Sequence, residues 1–95
     1  MNDKIIHERS RLLILTSLAG SESGSLSFTR LKESLELTSG NLSIQLKTLK
    51  NAGYVKITKK FVDDKPLTTA KITPQGTGAL KRYLGEMEQL IKNLK

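Results

Sequence analysis

Two short helical patterns lie only a few residues apart, and the periodicity changes abruptly behind them. This combination restricts the fold more than any other feature of the 95-residue chain. Phe28, Leu31 and Leu35 fall at i, i+3 and i+7, on one face of a helix over 28–35 that Ser27 can cap. Thr38 can cap a second helix over 39–52, with Leu42, Leu46 and Leu49 on its inner face and Gly53 as its stop. From Tyr54 the period is two. Val55 and Ile57 alternate with Lys56 and Thr58, and Ala70 and Ile72 with Lys71 and Thr73, as strands require. Between them, Asp63-Asp64-Lys65-Pro66 supplies turn-favouring residues and a proline that a central strand would not tolerate. The pattern predicts a helix-turn-helix over about 28–52, followed by a β-hairpin, or wing, over about 54–73.

Helices are expected on both flanks. The first runs from about Lys4 to Ala19 and carries Ile5, Ile6, Leu12, Leu13, Ile14, Leu15 and Leu18. Its apolar residues cover more than one face, so a second copy of the chain is expected on the side turned away from its own core. Gly20 ends it, and residues 21–25 read as a loop. Thr73-Pro74 opens the last helix, over about 74–94, with proline where a missing N–H costs nothing. Such a helix is about 30 Å long, more than a small domain can cover, so its apolar face calls for a partner. The expected dimer interface is Ile5, Ile6, Leu13, Leu80, Tyr83, Leu84, Met87, Leu90, Ile91 and Leu94. The fold class is α+β, mainly α, with one winged-helix domain spanning 1–95.

The formal charge of +7 points to a polyanionic partner. It is unevenly placed: from Leu37 to Val62 there are Lys47, Lys50, Lys56, Lys59 and Lys60 and no carboxylate. The absence of cysteine excludes disulfides and thiolate metal sites. Charged residues break the N-terminal apolar stretch, which is no secretory signal, and no run approaches the roughly 20 apolar residues of a membrane span. A cytoplasmic location is expected. Material for catalysis is scarce. His7, the one imidazole, reads as a surface or cap residue, Asp63-Asp64 has too few ligands for a cation, and the glycines of 73–78 lack the lysine of a phosphate loop. Binding without a cofactor or metal is the expectation.

On the second helix of the motif, the face opposite the leucines holds Gly40, Ile44, Lys47, Thr48 and Asn51, with Asn41 and Ser43 at its shoulders. Short hydroxyls and amides near a helix N-terminus suit base edges and phosphates, and Ile44 could pack on a thymine methyl. The hairpin lysines would meet phosphates or the minor groove. The candidate DNA-contacting set is Ser39, Gly40, Asn41, Ser43, Ile44, Gln45, Lys47, Thr48, Lys59, Lys60 and Lys65.

The stretch from Phe28 to Val55, with Leu37-Thr38-Ser39-Gly40-Asn41-Leu42-Ser43 at its centre and Ala52-Gly53-Tyr54-Val55 at its end, resembles the winged-helix domains of MarR/ArsR-type prokaryotic regulators. Lys60-Phe61, Lys65-Pro66-Leu67-Thr68 and Ile72-Thr73-Pro74-Gln75-Gly76 extend the likeness over nearly the whole chain. The resemblance implies a homodimer held by its terminal helices, a recognition helix in each major groove, and a role in transcription. A dimer of this kind would read an inverted repeat. The chain departs from the pattern at Gln45, where histidine is common, at Asp63-Asp64, where glycine and basic residues are usual, and at Thr77, where arginine is frequent. The acidic wing tip shifts the expected recognition to the helix. A small-molecule effector would have to bind in the dimer cleft. Two other readings stay open: a protein-interaction module, and a nonspecific nucleic-acid binder.

Overall fold

The computed structural model describes residues 3–94. Its elements are α1 (Arg9–Gly20), β1 (Ser25–Ser27), α2 (Phe28–Leu35), α3 (Ser39–Asn51), β2 (Val55–Val62), β3 (Lys65–Ile72) and α4 (Pro74–Lys92). The strands form one antiparallel sheet in the order β1-β3-β2.

Helices α2 and α3 begin where their capping side chains place them. Ser27 Oγ accepts from the Arg30 N–H and Thr38 Oγ1 from the Asn41 N–H, both at 3.1 Å. Between the helices Glu36 turns left-handed at φ 53°, and the Leu37 N–H reaches back to the Lys32 carbonyl at 3.1 Å. Gly53 closes α3 at φ 81°, where only glycine sits without strain, and the Tyr54 N–H bonds to Leu49 O at 2.9 Å.

Three expectations need correction. Helix α1 starts at Arg9 rather than near Lys4, because Asp3 Oδ1 accepts from the N–H groups of Ile5 and Ile6 at 3.0 and 3.1 Å and folds 4–7 into a turn. Glu8, extended at φ −76° and ψ 131°, then caps the helix through the N–H groups of Ser10 and Arg11, each at 3.0 Å. The expected loop 21–25 gives way to a strand at Ser25, which pairs with Lys71, while Leu26 pairs with Ala70 and Ser27 with Thr69. With one apolar residue in three, β1 has no local signature. Third, the turn is shorter than expected: Asp63 and Asp64 alone, at φ 52° and 61°, make a two-residue type I′ hairpin. Pro66 therefore lies within β3, the middle strand. It is tolerated because β1 covers only Thr69–Lys71, and because the Phe61–Pro66 pair adjoins the closing Val62–Lys65 pair, at a position whose N–H would point away from β2.

The core gathers Ile14, Leu15 and Leu18 of α1, Leu31 of α2, Leu42, Leu46 and Leu49 of α3, Val55 and Ala70 of the sheet, and Ala79, Leu80 and Tyr83 of α4. The turn before α1 adds Ile6. Helix α4 is anchored at its start: Thr73 Oγ1 accepts from the Gly76 N–H at 2.9 Å and donates to Gly53 O at 2.7 Å. Gly76 packs directly on the Tyr54 backbone, leaving no room for a Cβ. Beyond Tyr83 only half-buried Met87 still packs against the core, and Leu84, Leu90 and Ile91 of the helix, with Leu94 just after it, are exposed.

Candidate nucleic-acid interface

The two faces of α3 divide sharply. Leu42, Leu46 and Leu49 are buried, whereas Ser39, Gly40, Ser43, Ile44, Lys47, Lys50 and Asn51 are exposed. Ile44 is 64% exposed, unusual for so apolar a side chain. Asn41, Gln45 and Thr48 are half-buried, and the Thr48 hydroxyl donates to the Ile44 carbonyl at 3.2 Å.

Strand register decides which hairpin lysines accompany this helix. Val55, Ile57, Lys59 and Phe61 share a face with Ala70 and Thr68, and buried Val55 and Ala70 mark it as the core side. Lys60 and Lys65 lie on the opposite face with Lys56 and Lys71, so the structure separates them from Lys59. Lys59 joins Lys47 and Lys50 around a groove of about 280 Å³ between α3 and the hairpin. Phe28, Leu46 and Ile57 supply its apolar lining, with Ser43, Asn51 and Thr68 beside them. Lys50 and Asn51 thus join the expected site residues. Lys50 belonged to the acid-free lysine run and Asn51 to the outward helix face, so both signals were legible. Lys56 and Lys71 stand directly opposite each other, an arrangement that costs stability and adds positive potential to the outer face of the sheet.

The residue that sequence reading missed is Arg11. Its Nη1 donates to Gln45 Oε1 at 2.7 Å and its Nε to the Ile5 carbonyl at 2.6 Å, and Gln45 Nε2 in turn donates to Asn41 Oδ1 at 3.1 Å. No local pattern could reveal a contact made across 34 positions.

The N-terminal turn is tied to the far side of the fold. Tyr54 donates to Asp3 Oδ2 at 2.6 Å, and this bond, with burial, raises the Tyr54 pKa. His7 Nδ1 lies 3.1 Å from the Tyr83 hydroxyl. A second hollow of about 520 Å³ is lined by Asp3, Lys4, Tyr54, Arg82, Tyr83 and Glu86, and it shares no lining residue with the α3 groove. Among the described residues no cluster of three or more histidines and carboxylates could hold a metal, and no helix is long and apolar enough to cross a membrane.

A helix-turn-helix followed by a hairpin, with a third strand closing the sheet, defines the winged-helix class. The family model for a winged helix DNA-binding domain matches residues 10–91, and the chain belongs to that family. It is 41% identical over 91 residues to an uncharacterized protein of Methanocaldococcus jannaschii, covering 96% of this chain and 97% of that one. The solved structure of a transcriptional regulator homologue from Pyrococcus horikoshii superposes with a TM-score of 0.90 at 30% identity, covering all of this chain and 92% of the other. A MarR family transcriptional regulator from Streptomyces coelicolor, solved in complex with DNA, shares the fold with a TM-score of 0.78 at 23% identity, over 88% of this chain and 54% of that one.

Proposed function

We propose that this chain is a single-domain, cytoplasmic transcriptional regulator that binds duplex DNA sequence-specifically as a homodimer, with α3 in the major groove. The observation that carries this reading is the acid-free outward face of α3 beside a groove rimmed by Lys47, Lys50 and Lys59. Those three lysines suit the phosphates flanking the groove, Ser39, Asn41 and Ser43 suit base edges, Ile44 suits a thymine methyl, and Gly40 lets the backbone of the first turn approach the DNA closely. The Streptomyces coelicolor regulator, solved in complex with DNA, is a precedent for DNA binding by a protein of this fold. Lys60 and Lys65, on the outer hairpin face, would add only longer-range attraction. Dimerisation would rest on Leu84, Leu90, Ile91 and Leu94 with the exposed parts of Ile5, Leu13 and Met87, since Ile6, Leu80 and Tyr83 are already spent on the chain's own core. The activity is binding, not turnover.

The test is selection of bound sequences from a random duplex pool at stated salt. An inverted repeat is expected, and six lysine contacts per dimer would give a log–log salt slope of about −5. Enrichment of no sequence, or retention equal to that of a neutral control protein, refutes the reading. Exposed Ile44 favours one rival, a protein-docking surface on α3. A partner captured without DNA and released by Ile44→Asp would support it.

A further inference from the structure

The chain of hydrogen bonds from α1 to α3 has a direction set by chemistry. Arginine donates and cannot accept, so the atom of Gln45 facing Arg11 Nη1 at 2.7 Å must be its carbonyl oxygen. The Gln45 amide nitrogen is then the atom turned along the helix, and it must meet an acceptor, the Asn41 carbonyl oxygen at 3.1 Å. That leaves Asn41 Nδ2, a pure donor, as the free end, with no partner among the described residues. Every carboxamide orientation in the relay follows from the guanidinium.

Arg11 is well placed to impose this polarity. Its side chain is only 17% exposed, Nε is held by the Ile5 carbonyl at 2.6 Å, and Nη1 lies 4.0 Å from Glu8 Oε2. Asn41 stands in the first turn of α3, where its own N–H is taken by the Thr38 cap, so its backbone is fixed as well.

We propose that Arg11 is a positioning residue for base recognition: acting through Gln45, it locks Asn41 with its amide N–H groups outward, so that this position selects an acceptor edge in the major groove, above all guanine with its N7 and O6. The inference rests on the reading of α3 as the recognition helix. A free asparagine can rotate its amide and offers either a donor or an acceptor, including the pair that adenine matches. Here the oxygen is engaged from behind, and the choice is made before DNA arrives.

The relay predicts a reversal as well as a loss. Gln45→Glu keeps an acceptor for Arg11 and replaces the amide donor by an oxygen, so Asn41 must rotate to donate inward and present its oxygen outward. The preferred base at one position of each half-site should then pass from guanine to a donor-bearing base, adenine or cytosine. Arg11→Met frees both amides, and a preference of about tenfold for guanine should fall to about twofold.

The experiment is random-duplex selection with the wild-type chain, Gln45→Glu and Arg11→Met, each scored against its own best site, with circular dichroism confirming the fold. Gln45 is a half-buried surface residue, so its variant keeps the test open should Arg11→Met unfold. Reversal with Gln45→Glu supports the relay. An unchanged consensus in that variant, or affinity lowered equally for all sequences, overturns it while leaving α3 as the reader. A wild-type chain with no consensus overturns recognition itself, and the relay with it.

Discussion

Gly76 offers the sharpest quantitative test of how α3 and the turn behind it are held relative to α4. It is buried inside the first turns of α4, and a Cβ there would sit 3.0 Å from the Tyr54 carbonyl carbon and 3.1 Å from Ile72 Cγ1, with the Tyr54 carbonyl oxygen closer still. Carbon contacts normally settle at about 3.5–4.0 Å, so Gly76→Ala forces the start of α4 away from the α3–β2 turn by about 0.5–1 Å. The obstacle is backbone, which cannot rotate aside. The shift strains the bond from the Thr73 N–H to Tyr54 O at 3.0 Å and that from Thr73 Oγ1 to Gly53 O at 2.7 Å. Two weakened hydrogen bonds and the misfit cost about 3–5 kcal/mol, against which alanine recovers about 1 kcal/mol of helix propensity. A net loss of about 2–4 kcal/mol is expected, a fall of roughly 10–25 °C in Tm for a chain of this size. Gly85 in the same helix is the control: nothing lies within 4 Å of its Cβ position, so Gly85→Ala should stabilise by about 0.5–1 kcal/mol. Urea titration of the three proteins with matched m-values decides the matter. A Gly76→Ala protein within 0.5 kcal/mol of wild type would refute the packing argument.

Other expectations follow from single features. Replacing Asp63-Asp64 by Asn-Gly suits the two positive φ angles and removes two negative charges, so the hairpin should gain about 1 kcal/mol and DNA binding should tighten without a change of consensus, as thermal melts and competition titrations would reveal. Ile91→Asp, at a side chain 61% exposed, should leave the fold intact and shift sedimentation toward monomer; an unchanged dimer would remove α4 from the interface. Burial pushes the Glu8 carboxyl up, but the Ser10 and Arg11 N–H groups and the Arg11 charge outweigh it and leave the pKa below the ordinary value. The cap therefore stabilises α1 above the usual glutamate range and is lost as pH falls through the lowered value, and Glu8→Gln should flatten the acid limb of the stability profile. The raised Tyr54 pKa acts at the other end: its contribution is complete below about pH 10 and is lost as pH rises through the folded-state value, so Tyr54→Phe should abolish that alkaline limb.

What could be read in advance was whatever short-range chemistry decides. Ser27, Thr38 and Thr73 cap the helices that follow them because a hydroxyl needs only an N–H three residues on, and Gly53 stops α3 because the left-handed region is open to it. The leucines of α3 settle its inward face by helical spacing alone, and with it the polar, lysine-bearing outward face. Tertiary structure decided the rest. Ser25–Ser27 becomes a strand only because β3 returns beside it, and the choice of Lys59 over Lys60 and Lys65 as companion of α3 follows from a register that one residue of slip would invert. Ile6 was taken from the expected interface into the core by a turn that Asp3 organises. The link from Arg11 to Asn41 joins residues that no periodicity relates; they meet because α1 and α3 share one core, and packing, not local pattern, brings a guanidinium against the face of α3.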